Sequence, residues 1–183
     1  SIRTFLVLAV WLCLSGTPSS AEARCNVKQF AFGTPLKLVM DSLKVSEPVE
    51  YPPSVPRLSH KTVSRSGGQI CPGDGSFANV QITYNFLADQ LVSIELRVQQ
   101  PASPTLTLLD WANNQYGRPV LESKGPVDKM SGGQWSWDAG NESIFLFFVR
   151  QQNIASQQLD ITSTAHQALM AERWQVMEKM QKP

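Results

Sequence analysis

The side chains able to do acid-base, nucleophilic or metal chemistry are few in this chain of 183 residues, which has two histidines and three cysteines. His60 lies just after a proline-rich connector and His166 at the start of the last helical segment. Neither has a Cys, Asp or Glu at metal-ligand spacing, so both read as surface or capping residues and no metal is expected. Ser59-His60-Lys61 sets a hydroxyl beside a base, but sequence neighbours fix no attack geometry, and no Gly-x-Ser-x-Gly elbow exposes a nucleophile. Gly73-Asp74-Gly75-Ser76 has part of the pattern of a calcium loop. Lacking alternating oxygen ligands and a closing glutamate, it reads as a turn. Asp110, Asp138, Glu142 and Asp160 would have to meet in pairs about 5–10 Å apart to cleave a glycosidic bond. Their positions, in a helix, around a tight turn and in a strand, are those of solvated acids. No catalytic residue and no cofactor follow from these types and spacings.

Residues suited to contact rather than chemistry stand out more. Trp135 and Trp137, two apart in a strand beside a turn, put both indoles on one face. Exposed, they would anchor a protein or sugar, because an indole buries much area with little loss of rotamer freedom; turned inward, they are core. The last segment, about 164–181, carries Leu169, Met170, Trp174, Val176, Met177 and Met180 against Glu172, Arg173, Glu178 and Lys179. It reads as an amphipathic helix that docks on the second half of its own domain. Displaced, its Met- and Trp-rich side (Met170, Trp174, Met177) would be an adaptable surface for a partner. Asn141-Glu142-Ser143 fits an N-glycosylation acceptor, which matters only in a eukaryotic host.

The N-terminus bears on where such contacts would be made. Arg3, the apolar run from Phe5 to Leu14, Pro18 and Ala21-Glu22-Ala23 read as a secretory signal ending at residue 23. The run is about half the roughly 20 residues a membrane-spanning helix needs, so no stable anchor is expected. Cys13 would leave with the signal, and Cys25 and Cys71 remain as a pair in an oxidising compartment, periplasmic or extracellular. One disulfide is the natural reading, with a free thiol or metal-binding pair as the rival. The net charge of +1 excludes a strong basic field, and with it an electrostatic case for nucleic acid or an anionic membrane.

Residues 24–183 form one domain by length, enough to bury about 70% of the surface of the unfolded chain. Thr34 and Pro35 signal a helix start, followed by Leu36, Val39, Met40 and Leu43 at helical spacing. Glu47 to Arg57, with four prolines, predicts an extended connector. Val80, Ile82, Tyr84 and Phe86 alternate with polar residues, as do Val92, Ile94, Leu96 and Val98 after a turn at 87–90, which predicts an antiparallel hairpin; 58–63 adds a further strand before it. Ser103-Pro104 repeats the helix start, followed by Leu108, Leu109, Trp111, Ala112 and Tyr116, and then strands at 134–138, 143–150 and around Leu159 and Ile161. Residues 143–150 are apolar on both faces, so both need cover. The fold class is α+β: two similar helix-plus-antiparallel-sheet units, about 30–99 and 103–163, and a C-terminal amphipathic helix at 164–181.

The stretch Tyr84-Asn85-Phe86-Leu87-Ala88-Asp89-Gln90-Leu91-Val92-Ser93-Ile94 and the helix end Gln115-Tyr116-Gly117-Arg118-Pro119, in the order helix, strands, helix, strands, resemble the repeats of beta-lactamase-inhibitor-like proteins and of small bacterial envelope-assembly lipoproteins. The resemblance spans roughly Phe30 to Ser163 and implies a periplasmic, non-enzymatic module that binds a protein partner through sheet and loop surfaces, such as an inhibitor, immunity or envelope-assembly protein. It assigns no binding residue. A lipidation cysteine of the lipoprotein type is missing, since Val10-Trp11-Leu12 precede Cys13 and Arg24 precedes Cys25. A carrier of a small apolar molecule or glycan and an envelope hydrolase are the alternatives, distinguished by a closed apolar pocket or by convergent polar groups in a cleft.

Overall fold

A computed structural model of the chain describes residues 25–52, 55–101, 103 and 105–181. The expected signal segment, and Pro104 of the expected second helix start, lie outside the described residues. Eight strands form one antiparallel sheet: β1 (Val49–Tyr51), β2 (His60–Ser66), β3 (Gln81–Leu87), β4 (Gln90–Pro101), β5 (Leu121–Glu122), β6 (Gly132–Asp138), β7 (Glu142–Gln151) and β8 (Ile154–Ser163), in the order β1-β2-β3-β4-β8-β7-β6-β5. Among the described residues four helices accompany it: α1 (Leu36–Leu43), α2 (Gly67–Ile70), α3 (Thr107–Tyr116) and α4 (Gln167–Gln181).

Period-2 patterning decides which face is core. Across the sheet the register aligns Tyr84, Ile94, Ile161, Ile144 and Trp137 in one row, and Ile82, Leu96, Leu159, Leu146 and Trp135 in the next. All ten are buried and share a single core with Leu36 and Val39 of α1 and Leu108, Leu109, Trp111 and Ala112 of α3. Successive side chains in a strand point to opposite faces, so the residues between them form a second, open face. At the β3–β4 turn Ala88 and Asp89 both take positive φ (49° and 60°), as a two-residue hairpin loop requires. Just beyond, the register shifts by one residue, pairing Phe86 with Leu91 and Asn85 with Ser93. The extra residue, Val92, lines the groove on the open side instead of continuing the core row begun at Ile94.

Several expected element starts are displaced. Pro35 rather than Thr34 stands at the N-cap of α1, and the Thr34 hydroxyl donates back to the Ala31 carbonyl at 2.6 Å. Helix α3 begins at Thr107, beyond Ser103 and Pro104, because two glutamines of the central strands meet its first turn. Gln157 Oε1 accepts from the Leu108 amide at 3.0 Å, Gln100 Oε1 accepts from the Thr107 hydroxyl at 2.9 Å, and Gln157 Nε2 donates to Gln100 Oε1 at 2.7 Å. The helix's orphan amides are thus met from the sheet below, which also explains why Gln157 is buried. The proline-rich connector contributes the short, exposed edge strand β1.

Cys25 and Cys71 form the disulfide, with Cα atoms 5.1 Å apart and a sequence separation of 46. Closing a loop of that length removes unfolded-chain entropy worth about 4 kcal/mol. The bridge joins the N-terminal segment to the end of α2, whose first residue must be glycine: a Cβ on Gly67 would fall 2.1 Å from the Phe77 carbonyl oxygen. Hydrogen bonds continue the stitching. Trp111 Nε1 donates to the Cys25 carbonyl and the Tyr84 hydroxyl to the Val27 carbonyl, both at 3.1 Å, and Lys28 Nζ meets Glu142 at 2.7 Å.

Candidate functional site

The candidate site is the open face. Its rows run Gln81, Arg97, Gln158, Phe147 and Gln134, then Thr83, Glu95, Asp160, Phe145 and Ser136, and then Asn85, Ser93, Thr162, Ser143 and Asp138. Polar residues dominate except on β7, where Phe145, Phe147 and Val149 are 37%, 43% and 49% exposed. Their backs are Ile144, Leu146 and Phe148, all buried. Phe145 and Phe147 stack with ring centroids 5.6 Å apart. Phe147 and Val149 border a groove of about 490 Å³ with Gln81, Arg97, Gln99 and Gln158 on its polar side.

Helix α4 crosses the other part of this face. It was expected over the second half, as cover for the two-sided strand; it lies instead against β2, β3, β4 and the near edge of β8. The cause is local. Arg173 Nη2 donates to the Pro52 carbonyl at 2.9 Å and Glu172 pairs with Arg57 at 3.0 Å, both partners preceding β2. Leu87 and Val92 supply apolar surface beneath. No residue of α4 is buried; Leu169, Met170, Arg173, Val176 and Met177 are half-buried, while Trp174 is 71% exposed. Between helix and sheet remains a groove of about 330 Å³.

Electrostatics in that groove are uneven. His60 contacts Asn85 Oδ1 at 3.1 Å and stacks on Tyr51. Burial pushes its imidazole below the ordinary value; the Asn85 bond opposes this, Arg173 adds to it and Glu95 opposes it. Asp160 is pushed up, first by burial and then by the Glu95 charge, against the Gln158 bond and the charge of Arg97. Gln158 Nε2 reaches both acids, at 3.3 Å from Glu95 and 3.1 Å from Asp160.

The remaining chemistry-bearing residues are dispersed. Ser59 donates to Glu50 and not to its neighbour His60, and His166 meets Ser163 at 2.8 Å at the entry to α4. Asp110 is exposed on α3, Asp138 accepts from the Gly140 amide within its turn, and Glu142 is held by Lys28 and the Tyr116 hydroxyl on the core side. Asp74 caps a short 3-10 turn and accepts from the Cys25 amide at 3.0 Å. The four candidate acids do not converge; Asp160 instead faces Glu95, whose position across the β4–β8 pairing no single strand pattern reveals. Trp135 and Trp137 are 4% and 3% exposed, core residues with no surface to offer a partner. Trp137 Nε1 is satisfied by the Gly117 carbonyl at 2.9 Å. Asn141 is exposed in the β6–β7 turn. The exposed apolar residues of the open face that sequence reasoning did not single out as a surface are Phe145, Phe147 and Val149. Their signal was the two-sided apolarity of β7.

Among the described residues no group of three or more His, Cys, Asp or Glu gathers to hold a metal ion, and no helix is long and apolar enough to cross a membrane. In comparison with known proteins the chain matches no family model, no curated protein and no solved structure.

Proposed function

We propose that this chain is an exported, non-enzymatic protein-binding module whose partner docks on the open face of the sheet. The observation that carries the reading is the exposed row Phe145, Phe147 and Val149 set among polar strands. Aromatic anchors ringed by polar groups are the usual make-up of a protein-binding patch. Export is supported by the Cys25–Cys71 disulfide, since such bridges persist outside the reducing cytosol. An inhibitor, immunity or envelope-assembly role accords with the resemblance of the repeats.

The two-unit reading is supported by the strand order, in which β1 to β4 lead inward from one edge and β5 to β8 from the other, with β4 and β8 side by side. One helix of each unit, α1 and α3, packs on the same face. The half-buried row of α4 supports a partly amphipathic terminal helix whose exposed Trp174 is open to a partner. A carrier of a small apolar molecule or glycan would want a closed apolar pocket, and the grooves are open and mixed; a hydrolase would want convergent polar groups in a cleft, and Asp110, Asp138, Glu142 and Asp160 do not converge.

The double variant Phe145→Ser/Phe147→Ser tests the reading. It should keep the parent's cooperative melting transition and lose the partner that the parent retains from an extract of exported proteins. Retention of every parental partner by the folded variant would overturn it.

A further inference from the structure

We propose that the groove beneath α4 binds a small zwitterion, a free α-amino acid with an apolar side chain. The groove carries opposite charges that the protein itself leaves apart. On the sheet side, among the described residues Asp160 receives from one neutral amide only, Gln158 Nε2, at 3.1 Å from each of its oxygens. Its cross-strand neighbour is a second acid, Glu95, whose charge is met by Arg97 at 2.8 Å. On the helix side, Arg173 donates from Nη2 to the Pro52 carbonyl, while its Nε is shut off from solvent and has no hydrogen-bond partner among the described residues. Among the described residues no ion pair joins Arg173 to Glu95 or Asp160.

The rest of the lining includes apolar residues from both layers, Leu87 and Val92 from the sheet and Met170 and Trp174 from the helix. The volume, about 330 Å³, falls at the small end of the range for ligand pockets, roughly 300–1,000 Å³. A ligand carboxylate meets the charge of the Arg173 guanidinium that lines the groove, a ligand ammonium gives Asp160 its cation, and an apolar side chain covers Leu87 and Val92. A plain amine or a plain carboxylic acid leaves one of the two charges unmet, and buried polar groups left unpaired are what a site discriminates by. The inference does not depend on a partner docking at Phe145 and Phe147, which lie beside the groove and do not line it.

Calorimetric titration of the folded chain tests this, with L-leucine and L-phenylalanine set against isoamylamine, phenethylamine, 4-methylpentanoate and 3-phenylpropionate. At least one amino acid should bind saturably, and its amine and acid analogues should bind at least about tenfold weaker, the scale of one charge-assisted hydrogen bond. Asp160→Asn and Arg173→Met should each weaken the amino acid at least about tenfold by the same reckoning, while Phe147→Ser should leave its affinity unchanged. Should Asp160→Asn fail to fold, Arg173→Met decides, since it lies on a helix with no buried residue. Absence of saturable binding by either amino acid at millimolar concentration, an analogue binding as tightly as its parent, or parental affinity in the folded Arg173→Met protein would each overturn the proposal.

Discussion

Neighbouring strands β6 and β7 carry aromatic pairs that look alike in sequence and do opposite things. Trp135 and Trp137 point into the core, where α3 and the sheet enclose them; Phe145 and Phe147 point out onto the open face. What separates the pairs is register. Trp137 pairs with Ile144 and Trp135 with Leu146, so the indoles belong to the buried rows, and the phenylalanines occupy the alternate positions of β7. Size and aromaticity alone would rank the tryptophans as the better contact anchors. The pleat instead buries the tryptophans and exposes the phenylalanines.

Truncating the indoles is the most severe way to test the contrast. Trp135→Ala or Trp137→Ala should lower unfolding free energy by about 3–5 kcal/mol, the range for emptying a buried aromatic site, and Trp137→Ala also strips the Gly117 carbonyl of its donor. Phe147→Ser should cost no more than about 1 kcal/mol, roughly the worth of an exposed aromatic pair. Urea denaturation of the three variants measures both. Equal losses on the two faces would mean that the open face is packed against something in solution and that the assignment of faces is incomplete.

A loss of similar size is expected from the covalent tie. Replacing Cys25 and Cys71 together with alanine should cost about 4 kcal/mol by the loop-entropy estimate. The same variant should weaken the tether around Cys25, whose carbonyl accepts from Trp111 and whose amide donates to Asp74. Reductant should lower the midpoint of the parent and leave that of the double alanine variant where it is.

Much of this architecture was legible in the residues. Strict alternation in 80–86 and 92–98 specified half-buried strands because one-residue slips would expose the whole apolar set, and the Cys25–Cys71 bridge followed from an even pair of cysteines behind an expected export signal. The helix starts were less legible. Thr34 and Ser103 are good capping types, but α1 is capped by backbone geometry at Pro35, and α3 by Gln100 and Gln157, the latter 49 residues away from the amide it meets. Long-range satisfaction of that kind leaves no local pattern. Nor did the sequence of α4 say where it would lie, since the decisive contacts, Arg173 with Pro52 and Glu172 with Arg57, join segments more than 100 residues apart. The site inherits this limit: Asp160 could be seen as an acid on a strand, and only the β4–β8 pairing sets it opposite Glu95.

The smallest and most discriminating prediction contrasts two acids on the two sides of the sheet. Burial opposes ionisation of Asp74, yet the hydrogen bonds from Ser76 and from the amides of Cys25 and Phe77 outweigh it and hold its carboxyl below the ordinary value. Its ionised form therefore favours the folded state. That contribution is present above the unfolded-chain pKa, about 3.9, and is lost as pH falls through the lower folded value. Asp160 is displaced the other way, so its proton favours the folded state; its contribution is present in acid and is lost as pH rises from about 3.9 through the higher folded value. Asp74→Asn should thus be less stable than the parent at neutral pH, with the difference closing in acid. Asp160→Asn should be more stable than the parent at neutral pH, and its advantage should vanish below pH about 4. Thermal melts of both variants between acid and neutral pH measure this. If both carboxylates responded to pH with the same sign, the open face would be solvating Asp160 as freely as bulk water, and the groove under α4 would not be the desolvated site that its geometry describes.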